Sequence, residues 1–233
     1  MNLPRSLRYK RQNVLLVGVI PGPSEPTHGI NPYLQPLVNE LLVFWKGVQI
    51  KVKRGSNVVI QIRCVLLCVT CDTPAGRKVC GFLGHTVRLG CFKCLKAFPG
   101  SVGTVNFSGF DRSTWHPRSV TSHRQNIKEI QQCQTKTARA KKESKFGCRY
   151  SVLIKFPYFD PIKMLVIDPM HNLFLGTGKH MVNLWLQLDL VTKQDFQSLQ
   201  RTVDATVMPS DVKSHTKLKQ GFLVLQPTNS RTG

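Results

Sequence analysis

Acidic side chains are scarce in this chain: 12 Asp and Glu stand against 33 Lys and Arg in 233 residues, a formal net charge of +21. So large an excess cannot be neutralised by internal ion pairs. It points outward to a polyanionic partner, nucleic acid first and an anionic membrane second. Long apolar runs are also missing. The stretch Val14 to Ile20 is far below the roughly 18 residues that a spanning helix needs, so no transmembrane segment is expected. The same stretch follows Arg5, Arg8, Lys10 and Arg11 as a signal peptide would. It lacks a small-x-small cleavage site and runs straight into Pro21-Gly22-Pro23, which argues against secretion. Internal repeats are absent too.

The eight cysteines are distributed unlike a disulfide framework. Cys64, Cys68 and Cys71 lie in an apolar run, where cysteine behaves as a small core residue. A reducing compartment is therefore expected, in which Cys91-Phe92-Lys93-Cys94 is metal or redox chemistry.

Periodicity gives a coarse outline. Val14 to Ile20 is β-branched and apolar and predicts a buried strand stopped by the Pro-Gly-Pro turn. Asn31 is placed to cap a helix with Pro32 in its first turn. Leu34, Leu37, Val38, Leu41, Leu42 and Trp45 recur at helical spacing until Gly47. Val48 to Val52 alternates like an exposed hairpin arm, and Gly55-Ser56-Asn57 is a turn. Val58 to Val69, the longest apolar segment, predicts a central strand that delivers Asp72 to its carboxyl end. A helix is expected from Pro74 to about Leu89, capped by Asp72 and broken by Gly90. Tyr150 to Phe156 and Met164 to Ile167 predict strands. Asp168-Pro169-Met170-His171 leads into a helix through Leu186, and periodicity fades from Ser210. Strand, helix, strand with terminal Asp, helix is an α/β order, and α/β sheets collect ligands at that edge.

Asp72 is either a helix cap or a Mg²⁺ ligand. Phosphodiester chemistry uses two hard cations about 4 Å apart, and at least two further carboxylates would be needed. Cys91 and Cys94 have zinc-knuckle spacing, with Gly90 allowing the tight turn, and a thioredoxin-like redox pair is the competing reading. Asp168 and His171, three residues apart at a helix start, can complete a tetrahedral site, with His180 or His85 as substitutes. From Arg112 to Arg149 ten Lys or Arg face two Glu, interleaved with Trp115, His116 and Phe146. This basic segment nominates Arg112, Arg118, Arg124, Arg139, Lys141 and Lys142 for phosphate contact, with Lys93 and Lys96 beside the cysteine pair. Ala140-Lys141-Lys142 also suits nuclear import.

Five blocks give the chain a family likeness. They are Leu16-Val17-Gly18-Val19-Ile20-Pro21-Gly22-Pro23, Asn31-Pro32-Tyr33-Leu34-Gln35-Pro36-Leu37-Val38-Asn39-Glu40-Leu41, Cys71-Asp72-Thr73-Pro74-Ala75, Gly90-Cys91-Phe92-Lys93-Cys94 and Asp168-Pro169-Met170-His171-Asn172-Leu173-Phe174-Leu175-Gly176. In this order, from about residue 10 to 210, the chain resembles the transposases of CACTA-type (En/Spm) DNA transposons. The resemblance implies an RNase H-like core with a DDE acidic triad, cut-and-paste transposition of DNA, Mg²⁺ at the triad and zinc in an insertion. By motif, Asp72 would be the second triad carboxylate. Cys91 and Cys94 would be zinc ligands completed by Asp168 and His171. The family's first acid lies upstream of the Pro-Gly-Pro block, and here no Asp or Glu precedes Glu25. Asp189 and Asp195 are candidates for the third acid but match no motif, and the family's tryptophan block beyond Pro209 is absent.

The expected organisation is a basic tail (1–12), a partial RNase H-like α/β core (13–90), a zinc-stapled basic insertion (91–149), returning strands and helix (150–209) and a poorly ordered tail (210–233). The expected function is that of a catalytically incomplete DDE transposase fragment, nuclear and DNA-bound, with no membrane partner. The alternative is a non-catalytic zinc-stabilised DNA-binding module, and homo-oligomerisation is left open.

Overall fold

The structure is a computed structural model, and it describes residues 3–22, 29–52, 57–100, 106, 111–207, 218–219 and 222–223. Two compact units, Met1–Val166 and Ile167–Gly233, divide it. In the first, a short helix α1 (Arg5–Arg8) is followed by the extended segment around Val14 to Ile20. That segment is not the expected buried strand. Leu15 and Val19 are 83% and 77% exposed, and no ladder partner for it exists among the described residues. An apolar β-branched run supplies half of a strand; the other half is a neighbour to hydrogen-bond with.

Helix α2 (Asn31–Lys46) forms where the periodicity placed it, and Gly47 ends it with φ +106, a left-handed-side conformation that favours glycine. Asn31 is not its cap; Ile30 is. The Asn31 amide instead donates to the Tyr150 carbonyl and accepts from the Val152 amide, each at 2.9 Å, which fastens α2 to a segment about 120 residues away. Strands β1 (Val48–Lys51) and β2 (Val59–Ile62) make the antiparallel hairpin that the alternation predicted, Val48 opposite Ile62. Most of its turn lies outside the described residues.

The central strand expected over Val58 to Val69 is two pieces, β2 and the three-residue β3 (Val69–Cys71), which pairs with β4 (Leu165–Ile167). Helix α3 (Thr73–Cys80) is shorter than expected because Gly81 takes a left-handed φ of +80 and closes it. The basic segment is helical and packs on the core. It folds as an N-capped hairpin of two helices, α4 (Val120–Gln131) and α5 (Lys136–Phe146). Helix α4 buries His123, Ile127 and Ile130 in the same core as α2 and α3. Each buried Ile contributes about 1.5–3 kcal/mol.

Tyr150 to Phe156 is likewise not a strand but a 3₁₀ turn, Val152–Lys155, capped by Ser151, whose hydroxyl accepts from the Leu153 amide at 3.2 Å. Helix α6 (Pro161–Met164), capped by Asp160, leads into β4. Phe82, Phe92, Phe156 and Phe159 dominate the interior of this unit.

The second unit begins with a π-helical segment, Met170–Gly178, which continues into α7 (Lys179–Gln187) and α8 (Lys193–Ala205). Strands β5 (Leu218–Lys219) and β6 (Phe222–Leu223) pair antiparallel. The rest of the tail expected from residue 210 lies outside the described residues. No described helix is long and apolar enough to cross a membrane.

Candidate metal-binding turn and nucleic-acid interface

Asp72 sits at the junction of β3 and α3, where the sequence placed it. Its Oδ1 accepts from the Ala75 amide at 2.7 Å, so it caps α3, and its side chain is exposed rather than enclosed. Two acids considered as partners also have local roles. Asp195 forms a capping box with Thr192 at the start of α8. Asp189 follows α7 with φ 53, a helix-ending conformation that Asp tolerates.

The cysteine turn is built into the core by Phe92 and Cys94, both buried. The two thiols are within hydrogen-bonding contact of each other. Cys91 Sγ accepts from the Lys93 amide at 3.3 Å. Desolvation first of all, and then the neighbouring Cys91, push the Cys94 thiol up, while the Lys96 amide acts in the opposite direction. Amide donors two residues beyond each sulfur are what a tight turn offers to thiolates, and two such thiols suit a soft cation such as zinc.

This turn is held from behind by three cations, Arg118 buried and Arg77 and Lys93 half-buried. Arg118, only 7% exposed, donates to the carbonyls of Leu89, Cys91 and Phe146, all at 2.9 Å. Arg77 donates to Leu83 at 3.1 Å and to the Gly90 carbonyl. Lys93 reaches Leu165 at 2.8 Å and also the Ile162 carbonyl. Gly147, with φ +67, lets α5 end against the Leu89 carbonyl, where any Cβ would collide. Carbonyl-cation bonds thus brace the turn.

Asp168 and His171 are together at the start of the second unit. Asp168 Oδ2 stands 2.6 Å from His171 Nδ1, and its Oδ1 accepts from the Met170 amide at 2.9 Å. The bond to His171, then that to Met170, holds the Asp168 carboxyl below its ordinary range. Among the described residues no three or more His, Cys, Asp or Glu side chains gather into a group that could hold a metal ion.

The cations nominated for phosphate contact separate into classes. Arg118 and Lys93 are interior braces, as above. Arg124 donates to the carbonyls of Ile154, Phe156, Pro157 and Phe159 at 2.8–3.3 Å, capping the turn after the 3₁₀ segment. These three cannot present a guanidinium or ammonium to a phosphate without abandoning carbonyls. Lys96 bonds Thr114 at 2.6 Å, and Lys142 lies 3.6 Å from the Glu129 carboxylate. Arg112, Arg139 and Lys141 are exposed and carry no ion pair among the described residues.

Sequence reading had missed His123. It is buried against Phe82 at 5.1 Å between ring centroids, and its Nδ1 has no hydrogen-bond partner. Burial, with Arg118 and Arg124 nearby, pushes it down to about 4. No local signal marks it, because its neighbours come from distant segments.

Comparison with protein families decides what this arrangement belongs to. The model of the family described as "Transposase family tnp2" matches residues 1–144 of the 233. The chain belongs to the tnp2 transposase family. The match takes in α2, the Asp72 cap, the cysteine turn, α4 and nearly all of α5. No curated protein and no solved structure matches the chain. Membership in a transposase family implies interaction with DNA.

Proposed function

We propose that this tnp2-family chain is a CACTA-type transposase sequence that holds DNA and does not by itself complete the cleavage and strand-transfer reaction. The observation that carries the reading is the family match over Asp72, the cysteine turn and the basic helices, joined to a net charge of +21. In this reading the chain derives from an RNase H-like DDE core. Asp72 is the inherited Mg²⁺ ligand of a triad, poised on a helix cap with Oδ1 engaged. One carboxylate cannot place the two cations that in-line displacement at phosphorus uses. Cys91 and Cys94 hold zinc in the tight turn. The metal would fasten that turn, and supply nothing catalytic. The protein acts in the nucleus.

The chain, incubated with supercoiled plasmid and Mg²⁺ or Mn²⁺, is expected to retard the DNA and leave it uncut. Nicking that disappears in Asp72→Asn would overturn the claim of incompleteness. Failure to retard any DNA would overturn the DNA-holding reading. Metal analysis of the purified chain is expected to find about one zinc, lost in Cys91→Ser; a folded, metal-free chain contradicts the zinc assignment.

A further inference from the structure

We infer that α5 is the helix that meets duplex DNA, lying in the major groove, with α4 serving as its anchor. The inference rests on the DNA-holding reading above and assigns it a surface. Helices α4 and α5 form a hairpin with a short connection, and they divide the work unequally. Helix α4 sinks His123, Ile127 and Ile130 into the core, whereas no α5 residue is buried. A largely polar helix that gives the core only the edge of its last residue, Phe146, is stabilised by something else or presented to a partner.

The distribution of side chains around α5 defines the partner. At 3.6 residues per turn each residue advances by about 100°. Lys142, Glu143 and Phe146 then fall on one side, and all three are half-buried toward α4. The opposite side carries Thr137, Ala140 and Ser144, small and exposed. Cations border that strip: Lys136 along one edge, Lys141 and Lys145 along the other, while Arg139 falls on the side of Phe146 and Glu143. Lys136, Arg139 and Lys141 have no ion pair or side-chain hydrogen bond among the described residues, and Lys145 lies over the Phe146 ring at 5.5 Å. The hairpin's acids are turned away. Glu129 faces Lys142 at 3.6 Å, and Glu143 is on the half-buried side.

A narrow strip of small residues between two cationic edges fits a groove floor between two phosphate walls. The major groove is about 12 Å wide and admits one α-helix. From Lys136 to Lys145 the helix advances about 14 Å, long enough to reach phosphates on both walls and successive ones on the Lys141–Lys145 side. The α5 outer face carries no aromatic ring for unpaired bases to stack on, which disfavours a single strand. Lys141 and Lys145 are also like charges one turn apart, a local repulsion that a polyanion removes. Thr137 and Ser144 hydroxyls are the only side-chain hydrogen-bonding groups on the strip, so sequence preference is slight and the affinity is carried by phosphates.

The test uses the full chain with a fluorescently labelled mixed-sequence 20-base-pair duplex and the matching single strand. Lys136→Gln, Lys141→Gln and Lys145→Gln together should weaken duplex binding more than tenfold and lower the salt slope by about one unit per cation removed. A control with equal loss of charge on exposed residues elsewhere, Lys51→Gln, Arg63→Gln and Arg88→Gln, should change affinity less than threefold. In the unaltered chain, duplex should protect Lys136, Lys141 and Lys145 from acetylation and leave Lys51 reactive, which needs no variant to fold. Equal weakening by both triple variants, or unprotected α5 lysines in a complex that does form, overturns the assignment of α5 alone. Single strand bound as tightly as duplex overturns the groove geometry. No duplex binding by the unaltered chain is a failure of the DNA-holding reading itself.

Discussion

The Arg118 Nε–H donates to the Cys91 carbonyl at 2.9 Å, tying the arginine that precedes α4 to the cysteine turn across 27 residues of chain. The same guanidinium satisfies Leu89 and Phe146, so a residue that reads in sequence as one more surface cation is a keystone of the interior. Removing a buried donor that serves three carbonyls leaves them unsatisfied, each lost bond costing about 1–3 kcal/mol. Arg118→Ala is expected to lower stability by about 3 kcal/mol or more, and Arg139→Ala by no more than about 0.5 kcal/mol. Urea midpoints of the two variants check the contrast; similar midpoints would contradict it.

Asp72 has a structural task that can be separated from any metal role. Asp72→Ala loses the α3 cap and should cost about 1 kcal/mol, while Asp72→Asn keeps an acceptor oxygen and should cost little. Binding of Mn²⁺ near residue 72, seen as selective broadening of nearby amide signals, should vanish in both variants. Broadening retained in Asp72→Asn would remove Asp72 from the list of metal ligands.

Much of this was readable from local pattern, and the remainder was not for identifiable reasons. The α2 periodicity, the β1–β2 alternation and the Asp72 cap each depend on residues adjacent in sequence, and each is present. Gly81 was overlooked as a helix stop because Gly90 offered a later one. The carbonyl-bound cations were illegible for a different reason: Arg124 is fixed by carbonyls 30 to 35 residues away, and a charge run says nothing about distant carbonyls. Lys136 and Lys145 were present in the same run but emerged as part of a surface only once α5 had a direction. For Val14 to Ile20, apolar composition was mistaken for burial. Hydrophobicity shows that a segment gains by being covered, and the cover itself must come from elsewhere.

His123 gives the fold an acid limit. Its folded value of about 4 lies below the ordinary 6.5, so the unfolded chain binds the proton more readily between those values. The stability it supports is fully present above pH 6.5 and is lost as pH falls toward 4, at up to about 1.4 kcal/mol per pH unit within that window. Replacing the ring by an apolar side chain removes this limb. His123→Leu should show a flatter urea midpoint from pH 7 to 4.5 than the natural chain. Parallel pH profiles would contradict the account.

The central claim is that a tnp2-family chain with 21 excess positive charges grips DNA through phosphate contacts. Its most direct test is the affinity of the full chain for a mixed-sequence duplex between 50 and 200 mM salt. The account predicts a linear fall of log affinity with log salt and at least about a hundredfold loss over that range, because each cation on a phosphate releases a counterion. An affinity that stays flat with salt, or no measurable binding at 50 mM, would contradict it.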